Sequence, residues 1–206
     1  MFFEPLTAED RAFRLPEAPP WSGPPAAETG AVVPVDLVVA RSANVVVRVP
    51  TIRAFSIGCM IDVEVASRQG DLPENDWWDL QTGGHAYTLP FQGIGGLPDK
   101  LLRLGVRFAD ETKATTLDET TPRRRSSAAD DPPAGPSLSW HPSSSGSRGR
   151  EGHFSRFGLW LWPLPPAEPF ELAVEWPFGG IDLTFTEFDG AAVVAAAGRS
   201  ARLWPD

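Results

Sequence analysis

Cysteine is nearly missing from this chain: Cys59 stands alone in 206 residues. A single thiol cannot close an internal bridge, which excludes a disulfide framework and a cysteine-based zinc cluster. Lysine is almost as scarce, with only Lys100 and Lys113, and the excess of acid leaves a formal net charge of −9. Such a chain repels nucleic-acid phosphates, so a broad electrostatic grip on DNA or RNA is excluded. The one basic run, Arg123-Arg124-Arg125, is followed by Asp130-Asp131 in a serine- and proline-rich stretch and reads as a solvated loop.

Long apolar runs are lacking too. Nothing approaches the ~18 consecutive apolar residues that a membrane-crossing helix needs. The longest bland stretch runs only from Ala191 to Ala197. Met1 to Asp10 shows no basic stretch leading into an apolar one, so no secretory signal is read there and the cytoplasm is the expected location. No repeat of fixed period occurs, which leaves propellers and solenoids unsupported.

Recognisable chemistry is equally sparse. The chain has no nucleophile elbow, Walker loop, dinucleotide fingerprint or zinc-protease pair. Ser145-Gly146-Ser147-Arg148-Gly149 imitates an elbow but lacks the glycine two residues before Ser147. His85, His141 and His153 share no metal-ligand spacing and read as surface loop residues, although His141 and His153 could face each other across a hairpin. No cofactor is expected.

What is present is alternation. Ile57, Cys59, Ile61, Val63 and Val65 point one way while Ser56, Gly58, Asp62 and Glu64 point the other. Leu102, Leu104, Val106 and Phe108 alternate with Arg103, Gly105 and Arg107, turn at Ala109-Asp110-Glu111, and return through Thr112 to Leu117 as a hairpin. Phe170, Leu172, Val174 and Trp176 alternate with Glu171, Ala173 and Glu175, and Ile181, Leu183 and Phe185 follow with the same expected inward parity. One-sided wetting of this kind marks antiparallel sheets. Asp189 is a good N-cap for an alanine-rich helix running to about Arg202, the only helix expected.

These elements predict an all-β fold: an antiparallel β-sandwich, immunoglobulin-like or jelly-roll-like, with one short C-terminal α-helix. Residues 1–30 carry six prolines and read as an arm laid over the core by aromatics. Residues 31–206 form the sandwich domain, with a mobile insertion around 118–153 where proline, serine and glycine dominate. Within that insertion Ser137 to His141 reads as a short strand pairing with Phe154 to Trp162. Residues 67–100 read as a long surface connection with short strands near Ala86 to Phe91.

Two groups of residues are candidates for contact or ligand chemistry. In the first, Trp160 and Trp162 share one parity of a strand whose other parity, Leu159 and Leu161, is also apolar. Either the arm or the terminal helix covers the second face, or it is a contact surface. Trp77, Trp78 and Trp140 sit in loop-like settings and are candidate stacking platforms. In the second group, Asp71, Glu74, Asp76 and Asp79 concentrate oxygens that calcium favours, though not at the spacing of an EF-hand, and a solvated acidic turn is the competing reading.

Leu159-Trp160-Leu161-Trp162-Pro163-Leu164-Pro165-Pro166, Phe170 to Pro177, the ending Leu203-Trp204-Pro205 and Leu104 to Asp110 together cover about half the chain. In these segments it resembles an uncharacterised actinobacterial protein family, a resemblance that implies no activity and no catalytic residue. The expectation is a non-enzymatic module that binds a protein partner or itself. The alternative is a carbohydrate- or small-ligand-binding sandwich using the loop tryptophans, and a hydrolase is the weakest reading.

Overall fold

The computed structural model describes residues 19–83, 99–118, 132–148 and 152–204. Its strands are β1 (Glu28–Thr29), β2 (Ala31–Arg41), β3 (Val45–Ala54), β4 (Cys59–Ser67), β5 (Arg103–Arg107) and β6 (Lys113–Thr115). They continue as β7 (Ser137–Arg148), β8 (His153–Trp162), β9 (Phe170–Trp176), β10 (Ile181–Phe188) and β11 (Ala201–Arg202). A five-stranded sheet has the order β2-β3-β4-β8-β7 and a four-stranded sheet the order β10-β9-β5-β6, with every pairing antiparallel. Among the described residues, two α-helices complete the fold, α1 (Glu74–Gly83) and α2 (Gly190–Ala197).

The alternating apolar faces do what period-two patterning dictates. Val45, Val47, Cys59, Ile61, Val63, Leu159 and Leu161 of the larger sheet meet Leu104, Val106, Leu172, Val174 and Trp176 of the smaller one in a single core. This is the predicted sandwich, and α2 packs on β2 and β3 with Val193 and Ala196 buried. Asp189 caps α2 as expected, its Oδ1 accepting from the Ala192 amide at 3.0 Å. The helix is shorter than predicted. It ends before Gly198, and Ala201–Arg202 pairs with Glu28–Thr29 as the two-stranded ribbon β1-β11.

Several expectations are corrected. The segment read as an acidic loop holds α1, seated by Trp77 and Leu80 in the core, three residues apart on one helical face. The expected excursion over 142–148 is strand: β7 pairs with β8 as far as Arg148↔His153, with one register shift between Pro142 and Ser145. His141 opposes Gly158 and His153 opposes Arg148, so the two histidines do not face each other. A register shift between Ile181 and Thr184 reverses the parity of β10. Ile181 stays buried, but Leu183 (55%) and Phe185 (44%) are exposed. The expected strands near Ala86 to Phe91, the run Arg123-Arg124-Arg125 and the first part of the arm lie outside the described residues.

Candidate functional site

The aromatic strand β8 does have two covered faces, and the cover for one of them is the arm. Trp160 lies on the outer face of the larger sheet, opposite Met60, and is fully buried. Phe55 meets it edge-on at 5.7 Å, and its indole Nε1 donates to the Pro20 carbonyl at 3.1 Å. Trp21 packs edge-on against Trp162 at 5.9 Å, leaving Trp162 half-buried. The arm therefore covers the Trp160/Trp162 face, so Trp160 is core here and presents no free surface.

The other tryptophans also separate. Trp77 is buried in the core from α1, and Trp140 points to the inner face, its ring 4.5 Å from that of Phe157. Trp78 alone of these candidates is strongly exposed. On α1 the carboxylates are spread around a helix: Glu74 and Asp76 occupy its first turn, where the positive end of the dipole favours them, and Asp79 pairs with Lys100 at 2.5 Å. Asp71 precedes the helix and is exposed. Among the described residues, no three His, Cys, Asp or Glu side chains gather as a metal-holding group. Among the same residues, no helix is long and apolar enough to cross a membrane.

The sheet beside the buried aromatics carries a ladder of charge. Glu64, 4% exposed, lies between Arg48 and Arg156 on the neighbouring strands, and Arg48 also pairs with Asp36. One strand register away, Arg53 and Thr51 both donate to Asp62. These pairs lie on directly opposed or adjacent positions of the sheet, where opposite charges stabilise one another.

Exposed apolar surface is concentrated elsewhere, at the seam where the edge strands of the two sheets meet. The Thr184 hydroxyl of β10 donates to the Val174 carbonyl of β9 at 3.3 Å and lies 3.5 Å from the Val39 carbonyl of β2. Flanking this contact, Leu37 and Val38 on β2 and Leu183 and Phe185 on β10 are 41–55% exposed. These edge-strand side chains make up an apolar belt on β2 and β10: Val38 opposes Arg48 on the outer face of the larger sheet, and on the outer face of the smaller sheet Arg107 stacks over Phe185, 4.4 Å from the ring centroid. Of the eight large hydrophobic side chains exposed among the described residues, five lie on β2 or β10, Val32 being the fifth.

Sequence reasoning missed this belt because it depends on bulges. β2 shifts register between Pro34 and Leu37 and again between Val38 and Ala40, and β10 shifts between Ile181 and Thr184. Each extra residue redirects its neighbours' side chains. The signal available in the chain was Pro34 inside an otherwise strand-like run, which marks an edge. No family model matches this chain, and no curated protein or solved structure matches it either.

Proposed function

We propose that this protein is a non-enzymatic interaction module whose contact surface is the apolar belt at the β2–β10 seam, docking another polypeptide chain, either a partner or a second copy. The observation that carries the reading is that five of the eight exposed large hydrophobic side chains among the described residues, Leu37, Val38, Leu183 and Phe185 among them, lie on the two edge strands that meet at the seam. Exposed apolar side chains concentrated on adjoining edge strands beside charged groups mark interaction sites. Here the charged groups are the Asp36–Arg48 pair beside Val38 and the Arg107–Glu171 pair beside Phe185.

The test is a Leu183→Asp/Phe185→Asp double variant, followed by sedimentation across a concentration series and by co-purification from the native host. The reading predicts that self-association, or a specific co-purifying protein, is lost while the melting temperature stays within a few degrees. Identical behaviour of variant and parent in both assays overturns it.

A further inference from the structure

The turn between β5 and β6, the residue before β7 and the connection from β8 to β9 surround a cleft of about 280 Å³. Its walls are largely proline: Pro136, Pro163, Pro165 and Pro166, with the Phe108 ring. Proline fixes φ and has no N–H, so these walls are stiff and offer no backbone donor. The connection is further tied down. The Leu164 amide donates to the Ile57 carbonyl at 3.0 Å, and the Pro166 and Glu168 carbonyls sit so close to Gly190 that a Cβ there would fall 2.4 Å and 2.1 Å from them. A cleft already in its binding shape loses little entropy on filling.

Among the described residues that line it, Asp110 and Glu168 supply carboxylates and none is a cation. Thr112 is spent locally: its hydroxyl and its amide both donate to Asp110 Oδ1, at 2.6 and 3.0 Å. Those same hydrogen bonds, the hydroxyl's first, hold the Asp110 carboxyl below the usual range, so it stays ionised at neutral pH. An entering group therefore meets apolar walls and negatively charged acceptors.

We infer that this cleft takes an arginine or lysine side chain from an extended segment of a partner protein, its apolar stem against Phe108 and the prolines and its cationic head toward Asp110 and Glu168. Long basic side chains are built for such a site, since the stem buries while the head stays near water. A protein segment fits better than a free amine. Exposed carboxylates alone bind a cation weakly, and filling the apolar walls needs the stem and its flanking residues. The charge of −9 on this chain further steers basic partners toward it. The inference stands on the cleft and does not depend on the belt.

Calorimetric titration of the full chain tests it. The probes are a capped seven-residue peptide with a central arginine between prolines and alanines, the same peptide with a central glutamate, and n-butylguanidinium as the isolated stem and head. Saturable binding of the arginine peptide is expected, weakened by added salt, with the glutamate peptide at least about tenfold weaker. Asp110→Asn/Glu168→Gln should weaken the arginine peptide by about tenfold. Glu168→Gln alone should weaken it less, and its melting temperature should be unchanged because Glu168 is exposed. Equal binding of the two peptides, or of the arginine peptide to parent and double variant, overturns the proposal. So does n-butylguanidinium binding as tightly as the peptide, which would make the site one for small amines.

Discussion

The indole nitrogen of Trp160 hydrogen-bonds the Pro20 carbonyl 140 residues earlier in the chain, at 3.1 Å. That bond fastens the arm over the outer face of the larger sheet, with Trp21 against Trp162 beside it. Trp160→Ala removes both the buried ring and the anchor, and should cost on the order of 3–5 kcal/mol. Trp21→Ala should loosen the arm without unfolding the sheet. Urea denaturation reads the first, and amide exchange over residues 19–30 reads the second. A small loss of stability in Trp160→Ala would show that the arm does not seal this face.

Gly190 is a position where the backbone leaves no room for a side chain. A Cβ there would lie 2.1 Å from the Glu168 carbonyl oxygen, which is backbone and cannot swing aside. Gly190→Ala should therefore cost about 1–3 kcal/mol through backbone displacement, despite alanine's better helix propensity. A stability equal to or above the parent's in thermal melts would contradict the close seating of α2 on the β8–β9 connection.

Glu64 gives a cooperative test. Arg48 and Arg156 each hold one of its oxygens, so either arginine compensates for loss of the other. Arg48→Ala and Arg156→Ala should each cost under about 1 kcal/mol, as partly exposed pairs do. Together they strand a buried carboxylate and should cost about 3 kcal/mol, more than the sum. Additive losses in a urea double-mutant cycle would mean the two pairs are independent.

Burial pushes the Cys59 thiol up to about 12 from an ordinary 9.0. The folded state therefore keeps its proton where the unfolded state has lost it. Stability from this group is fully present below pH 9 and falls as pH rises from there toward 12. The native thiol should be inert to alkylation at pH 8. Cys59→Ala should flatten the decline in stability above pH 9, and an unchanged slope would show that another group dominates it.

Much of this fold was legible in the chain, because antiparallel strands with one wet face write their alternation directly. Val45 to Val49, Cys59 to Val65, Leu104 to Val106 and Phe170 to Trp176 all bury the face that the pattern indicates. Helix α1 was hidden because only Trp77 and Leu80 seat it and turn-forming residues surround it. Pro73 with Glu74 and Asp76 in the first turn was the readable sign of its start. The arm's seat on Trp160 was one of two covers that strand parity left open, since parity shows that a face is apolar but not which segment covers it. The belt was invisible for a different reason. A bulge changes which face Leu183 occupies without changing the amino-acid pattern.

The central claim is that Leu37, Val38, Leu183 and Phe185 are a contact surface, and hydroxyl-radical footprinting tests it most directly. The chain is labelled once as purified dilute protein and once in extract of its native host or at high concentration, with Trp78 and Trp204, both strongly exposed, as internal references. The account predicts that oxidation of the belt residues falls when partner or second copy is present while Trp78 and Trp204 stay equally reactive. Unchanged oxidation of the belt, with protection appearing at another surface, would contradict it.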